Sequence, residues 1–222
     1  MRLDIAFEDR KTFAKGFCVY KFIWIFCIIC IFGYIYESIL CIFQLGHFES
    51  RQGLIYGPFI PVYGCGAMIY MFIIKYEKSL FKIFIYTSFI GGAFEFLYSF
   101  FQEKLLGTVS WNYDSYFMNF QGRTSIIHAV FWGILGMVFA KFVYPYLSNR
   151  IEKIPLKIGI ALSWVGIIFM IFNIYLSIVA SARQKQRLYN MPPKNYTEFF
   201  LDRYFPNDKL DNKYTNHKRI HT

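Results

Sequence analysis

Charged residues are scarce in this sequence: Asp, Glu, Lys and Arg together make up 17% of its 222 residues. An ordinary soluble domain carries about 25% charged residues and about 45–50% apolar residues. Here 56% of the residues are hydrophobic and 22% are aromatic. The shortage of charge therefore excludes an ordinary soluble domain and predicts an integral membrane protein.

Several catalytic signatures are also missing. The sequence contains no Gly-x-x-x-x-Gly-Lys-Ser/Thr nucleotide-binding loop, no His-Glu-x-x-His zinc motif and no Gly-x-Ser-x-Gly nucleophile motif. Cys27 and Cys30 have the spacing of metal and redox sites, but they lie in an apolar stretch with no histidine nearby, so we expect them to be packing residues. The sequence favours a protein that is not an enzyme, and it predicts neither a metal nor another cofactor.

The net charge of +10 does not indicate nucleic-acid binding. Lys and Arg cluster between the apolar segments, and no basic stripe with interleaved stacking aromatics is present on one soluble module. This distribution is typical of loops that face anionic lipid. We therefore expect the lipid bilayer, and not nucleic acid, to be the partner of the basic regions.

Long apolar segments are the main feature that the sequence does contain. A helix needs about 20 apolar residues to cross the hydrocarbon core of a bilayer. The predicted fold is all-α, a polytopic transmembrane helix bundle of about five spans. The candidate spans are residues 22–43, 58–74, 83–102, 126–147 and 158–182.

The second candidate span is the weakest of the five. Gly57, Pro58 and Pro61 interrupt it, and such segments form broken or re-entrant helices where they are packed within protein. A re-entrant or broken helix near residues 54–66 is therefore the alternative to a full second span.

Two polar segments flank the predicted bundle, which covers residues 22–182. Residues 1–21 form a basic N-terminal segment whose phenylalanine spacing allows an interfacial helix. Residues 183–222 form a polar C-terminal tail in which we expect one short helix near 196–204.

Positive charge is concentrated in residues 1–21, 75–82 and 150–157. The positive-inside rule places these regions in the cytoplasm, with the N-terminus inside. Five spans would then place the tail outside, although Arg183 and Arg187 follow the last span directly. The sequence leaves this conflict open.

Two carboxylates are the only charges in their apolar segments: Glu37 in the first and Glu95 in the third. An ionisable residue at membrane depth is costly and suggests a functional site. With the N-terminus inside, both lie at a similar depth in the outer half of the bilayer, beneath loops that contain Arg51 and Arg123. We predict a polar cluster of these four residues, because the planar guanidinium group suits a buried carboxylate. The alternative is that small residues on the same helix faces form packing seams, and each glutamate makes only an interhelical hydrogen bond.

The outer loop before the fourth span adds further candidates. Asn119 and Gln121, together with Arg123, are suited to bind an anionic or polar ligand. Trp111 is suited either to such a site or to an aromatic belt at the membrane surface. His128 lies beside the small-residue face of the fourth span, where a packing role is favoured over a catalytic one.

These motifs carry a resemblance that covers about residues 22–147. The chain resembles a family of bacterial multispan membrane proteins described as putative ABC-transporter type IV, which is permease-like. The matching residues are Tyr36-Glu37-Ser38, Arg51-x-Gly53-x-x-Tyr56-Gly57-Pro58-x-x-Pro61-x-Tyr63-Gly64, Glu95-Phe96, Trp111-x-Tyr113 and Asn119-x-Gln121-Gly122-Arg123. The segment 114–118 departs from the pattern, because the family more often has a Pro-Leu pair before the asparagine.

The resemblance implies a multi-pass protein of the bacterial cytoplasmic membrane and a transporter permease subunit that acts on a small substrate. Its ATPase would be a separate chain, because this sequence has no nucleotide-binding loop. A homo-oligomer is also compatible with the sequence. Two other functions stay open: a membrane-embedded enzyme acting on lipid or prenyl substrates, and a non-catalytic assembly or regulatory protein.

Overall fold

The structure, a computed structural model, describes residues 12–219 and the side chains of residues 12–217. Within this part most of the chain is helical. The helices are α1 (Val19–Leu45), α2 (Pro61–Tyr76), α3 (Leu80–Leu106), α4 (Ile126–Val138), a π-helical turn (Phe139–Val143), α5 (Tyr144–Glu152), α6 (Leu156–Leu188), α7 (Tyr196–Tyr204) and α8 (Asn207–Lys213). The strands are β1 (Thr108–Val109), β2 (Asn119–Phe120), β3 (Thr124–Ser125) and β4 (Lys218–Arg219).

Four helical segments are long and apolar enough to cross a membrane: Val19–Leu45, Leu80–Leu106, Ile126–Glu152 and Leu156–Leu188. The third of them is one continuous helical segment made of α4, the π-helical turn and α5. This arrangement confirms the predicted all-α membrane bundle. The remaining predicted span, residues 58–74, forms the 16-residue helix α2, which at about 24 Å is shorter than a typical span.

The chain before α2 re-enters the bundle instead of passing over its end. The Ile60 amide donates to the Cys30 carbonyl in the middle of α1 at 3.1 Å, so α2 begins at about mid-depth. The sequence explains this geometry, since Gly57 has a left-handed φ of 73° and Pro61 occupies the first turn of α2. The re-entrant segment expected near residues 54–66 is therefore present.

Helix α6 supplies the hydrogen bonds that the re-entrant segment needs. The fully buried Asn173 accepts from the Tyr56 amide at 3.1 Å and donates to the Tyr56 carbonyl at 2.7 Å. The Ser177 hydroxyl accepts from the Ile55 amide at 2.9 Å. Irregular backbone at membrane depth is stable only when its polar groups are paired inside the protein.

Small residues bring α3 and α4 into close contact. A Cβ atom at Gly91 would lie 2.6 Å from the Trp132 Cβ, and one at Gly133 would lie 2.7 Å from the Phe84 ring. Gly136 faces Thr87 with equally little space. The predicted small-residue faces are thus a packing seam between these two helices.

The basic loops lie together at one end of the bundle, which we call the basic end. Lys75 lies over the Phe17 ring near the start of α1, with its Nζ 5.6 Å from the ring centroid. Lys21, which is fully buried, forms an ion pair with Glu152 at the end of α5 and hydrogen-bonds Ser148. Among the described residues, the exposed cations at this end include Lys15, Lys75, Lys78, Lys82, Arg150, Lys153 and Lys157.

The predicted interfacial helix in residues 1–21 falls largely on residues 1–11, which lie outside the described part of the chain. Residues 12–18 form turns. Phe13 is 1% exposed and its ring lies against Gly159 of α6. This phenylalanine therefore packs inside the basic end.

The C-terminal residues pack at the opposite end, which we call the tail end. Strand β4 pairs antiparallel with β1, which follows α3, and Tyr214 forms a β-bridge with Arg51. The Thr215 hydroxyl donates to the Ser50 carbonyl at 2.6 Å. The chain end thus contacts both the loop after α1 and the loop after α3.

A Gly133→Ala substitution should lower the stability of the bundle, whereas Gly166→Ala should not. The new methyl group at 133 would overlap Ser88 and Phe84, while a Cβ at 166 meets no atom within 4 Å. We expect Gly133→Ala to cost about 1–3 kcal/mol from overpacking. Gly166→Ala should leave stability unchanged or raise it by about 1 kcal/mol through helix propensity. Thermal unfolding in detergent measures both, and equal melting temperatures would contradict the close α3–α4 seam.

An Asn173→Leu substitution should loosen the re-entrant segment. Leucine conserves the volume but leaves the amide and carbonyl of Tyr56 unpaired, at about 1–3 kcal/mol for each buried group. Hydrogen exchange of residues 53–60, measured in detergent, should speed up. Phe172→Leu, at a 55% exposed neighbour, is the control and should leave that exchange unchanged. Unaltered exchange in Asn173→Leu would show that the segment does not depend on α6.

Candidate functional site

Glu95 is buried between α3 and the loop that precedes α4. Its carboxylate accepts from the Thr124 hydroxyl at 2.8 Å and from the Tyr113 hydroxyl at 3.1 Å. The side chain is 6% exposed. The close α3–α4 contact at Gly92 and Ala129 holds Thr124 near this carboxylate. Glu95 is thus satisfied by two neutral hydroxyl donors.

Tyr113 is held in place by His128 in the first turn of α4. The two rings stack with their centroids 3.6 Å apart and an interplanar angle of 16°. The His128 Nδ1 lies 2.8 Å from the hydroxyl of Ser125, the N-cap residue of α4. His128 therefore contacts Tyr113, which donates to Glu95, and its own ring hydrogen bond goes to Ser125.

Glu37 on α1 has a similar partner from α2. The Tyr63 hydroxyl donates to its carboxylate at 2.5 Å, and the Tyr63 ring packs on Gly33, one turn earlier on α1. Glu37 itself is half-buried. The re-entrant segment determines this contact, because it starts α2 beside the middle of α1.

Both carboxyl groups influence the same phenol, although only Glu95 hydrogen-bonds to it. Burial is the main cause that raises the pKa of Tyr113 well above its usual range. The nearby Glu95 and, to a smaller extent, Glu37 raise it further. Glu37 is about 12 Å from the end of α1 and Glu95 about 16 Å from the end of α3, so their depths are similar. We call Glu37, Tyr63, Glu95, Tyr113 and Thr124 the carboxylate cluster. Among the described residues, neither carboxylate of this cluster forms an ion pair.

Arg123 lies nearer the tail end than the predicted pairing requires. It forms an ion pair with Glu103, which follows Glu95 on α3 by two helical turns, or about 12 Å. Its guanidinium group also lies over the Phe100 ring, 5.5 Å from the centroid. In the described part of the chain the Nε of Arg123 is buried without a hydrogen-bond partner. Arg123 thus forms a second charged site above the carboxylate cluster.

Arg51 does not reach Glu37. Its nearest carboxylate is Glu49, at 3.9 Å, and its backbone bridges Tyr214 of the tail. Its buried Nε has no hydrogen-bond partner among the described residues. The structure therefore separates both arginines from the carboxylates with which the sequence suggested they would pair.

The remaining loop candidates shape the loop over Glu95. Asn119 donates to the carbonyls of Asp114 and Tyr116, at 3.1 and 3.0 Å, and accepts from the Gly122 amide. Gln121 is exposed in the β2–β3 turn with a left-handed φ of 52°. The polar side chain of Asn119 is therefore used within the loop.

Trp111 anchors the same loop from the other side. Its indole nitrogen donates to the Arg123 carbonyl at 2.8 Å, and its ring stacks on Tyr98 at 5.9 Å. This inward position places Trp111 in the wall of the site.

Sequence reasoning missed the residues that hold the carboxylates. Tyr63 and Tyr113 both stand in the quoted motifs, yet the predicted cluster includes neither of them. Thr124 carried no signal beyond its place next to Arg123. The described residues contain no group of three His, Cys, Asp or Glu side chains that could hold a metal ion.

Comparison with known proteins gives a family but no individual relative. A family model described as "Putative ABC-transporter type IV" matches residues 24–178, which is 155 of the 222 residues. No curated protein and no solved structure matches the chain. The matched region runs from α1 into the second half of α6 and includes the carboxylate cluster. This membrane protein therefore belongs to the putative ABC-transporter type IV family.

Proposed function

We propose that this chain is the permease subunit of an ATP-driven transporter in a bacterial cytoplasmic membrane, with its ATPase on a separate chain. The observation that carries the proposal is the carboxylate cluster. Glu37 and Glu95 come from two membrane-length helices, and their hydrogen-bond partners are the hydroxyl groups of Tyr63, Tyr113 and Thr124 instead of cations. Carboxylates at membrane depth are costly and line substrate or ion pathways in transport proteins.

The difference in exposure between the two carboxylates supports a path through the cluster. Glu95 is 6% exposed, whereas Glu37 is half-buried and therefore reachable from outside the cluster. Discontinuous helices form the substrate sites of many transporters, and α2 begins at mid-depth beside Glu37. A solute would contact Glu37 first and Glu95 second.

The basic end offers the surface for the ATPase. Most of its exposed cations lie in or beside the α2–α3 connection and the α5–α6 connection. The buried Lys21–Glu152 ion pair joins α1 to α5 directly beneath this surface. Movement of the α5–α6 loop would thereby be transmitted to α1, which carries Glu37.

The ATPase contact can be tested by photo-crosslinking in native membranes. A photoreactive amino acid at Lys153, on the basic end, should crosslink to a protein that binds ATP. The same amino acid at Lys194, exposed at the tail end, is the matched control and should give no such product. ATP-binding protein captured from Lys194 alone, or from neither position, would contradict the proposal.

Glu95→Gln and Glu37→Gln should reduce function without unfolding the protein. Glutamine keeps the size and a carbonyl oxygen that accepts from Thr124 or Tyr63, so the helix contacts persist. We expect ATP hydrolysis by the co-purified complex to fall about tenfold, which corresponds to about 1.4 kcal/mol of lost stabilisation. Asp208→Asn, an exposed carboxylate of α8, is the control for a simple charge change.

The melting temperature separates a functional role from a structural one. If both variants unfold at lower temperature together with their loss of activity, the glutamates serve the packing of the bundle. Normal activity in both variants would remove the carboxylate cluster from the proposed pathway.

A further inference from the structure

Helix α7 turns an aromatic face outward and its acidic residues toward α6. A surface helix of a soluble domain has its apolar face turned inward instead. Its exposed side carries four aromatic residues, and the exposed fraction of the least accessible is 48%. The spacing of i, i+3, i+4 and i+8 places them on one face. They are Tyr196, Phe199, Phe200 and Tyr204.

The acidic residues of α7, Glu198 and Asp202, point inward, toward α6. Arg183, which is 2% exposed, donates from Nε and one terminal nitrogen to the two Asp202 oxygens at 2.9 and 2.7 Å. Arg187 donates to the same carboxylate at 2.6 Å, and Glu198 lies 3.7 Å from Arg183. The hydrogen bond from Arg183 lowers the pKa of Asp202, so this carboxylate stays charged. Bidentate pairing of this kind fixes the orientation of α7.

The depth of these contacts places α7 at the membrane surface. Helix α6 has 33 residues and is about 50 Å long, whereas a bilayer with its headgroups is about 40–45 Å thick. Arg183 lies five residues, or about 8 Å, before the end of α6. The α7 helix is therefore attached to α6 at the level of the lipid headgroups.

We propose that α7 lies in the headgroup region of the bilayer at the tail end, with its aromatic face in contact with lipid. Amphipathic aromatic rings are favoured at this level, and cationic side chains beside them can reach lipid phosphates. Arg203 lies over the Tyr204 ring at 5.6 Å, and the exposed Lys194 and Lys209 flank the helix. The face thus combines apolar rings with cations.

Lipid fits this face better than a second protein because the apolar surface continues along the chain. Leu188, which ends the lipid-crossing helix α6, is 43% exposed, and Met191 in the connection to α7 is 47% exposed. Along the chain these residues lie between the exposed apolar residues of α6 and the aromatic face of α7. Clusters of exposed apolar residues mark protein or membrane interaction sites.

The experiment uses the full chain in vesicles of phosphatidylethanolamine and phosphatidylglycerol. An environment-sensitive fluorescent amino acid is placed at Phe199, and at Asn212 on the exposed side of α8 as the control. A nitroxide on carbon 5 of the lipid chain should quench the fluorophore at 199 at least about twofold more than that at 212. Aqueous iodide should show the reverse order.

Three results would overturn the proposal. Equal lipid quenching at 199 and 212 would place α7 away from the bilayer. Preferential quenching of 199 by iodide would place its aromatic face in water. Emission at 199 that changes with the protein-to-lipid ratio, without lipid quenching, would show that a second copy of the chain covers this face.

A second variant is the control for misfolding caused by the fluorescent amino acid at position 199. Phe200→Trp adds a fluorophore close in size to the aromatic ring that it replaces, and its emission is obtained by subtracting that of the four native tryptophans. Brominated lipid should quench this added emission. The paired variant Phe200→Trp/Asp202→Asn should lose part of that quenching, because α7 then lacks the charged contacts to Arg183 and Arg187. Equal quenching in the two variants would show that the ion pairs do not hold α7 at the membrane.

Discussion

Backbone amides and carbonyls need hydrogen-bond partners at membrane depth, and this requirement organises the bundle around residues 46–60. This segment lies within the bundle without regular secondary structure. Its backbone polar groups are therefore paired by Asn173 and Ser177 of α6 and by the Cys30 carbonyl of α1. These bonds fix where α2 starts. Because α2 starts beside the middle of α1, the Tyr63 hydroxyl reaches Glu37. A backbone requirement thus places one half of the carboxylate cluster.

The other half depends on how closely two helices approach. Glycines on both sides of the α3–α4 seam leave no space for a methyl group, and this contact brings the loop before α4 down onto Glu95. The sequence presented packing seams and a functional cluster as alternatives, but in the structure the seam is what assembles the cluster. Neutral hydroxyl donors satisfy both carboxyl groups, and neither group has a cation as a partner among the described residues. The arrangement is compatible with stable packing and with binding of a solute.

The architecture could be predicted from the sequence further than the site could. The length of the apolar segments predicts the membrane spans. Gly57, Pro58 and Pro61 indicate the re-entrant segment because they interrupt the apolar segment that contains them. The partners of Glu37 and Glu95 depend on the position of each loop residue along the axis of the bundle. Local sequence patterns do not encode that position. Arg123 is as well suited to Glu103 as to Glu95, and only the three-dimensional position selects Glu103. Tyr113 has the amphipathic ring of a belt residue, so its inward position follows from stacking on His128 and not from its type.

The partners of Arg183 and Arg187 bear on the conflict over the tail. Arg183 and Arg187 follow the apolar part of α6, and on sequence grounds they resemble the cations of a basic loop. In the structure both are paired with Asp202 and contribute to docking α7, whereas Lys153 and Lys157 of the basic end are exposed. Arg183 and Arg187 therefore do not add to the exposed positive charge of the tail end, where Lys194, Arg203 and Lys209 are exposed. A tail at the end opposite the basic loops is compatible with the orientation that the other loops favour, because Arg183 and Arg187 are used to hold a helix in place.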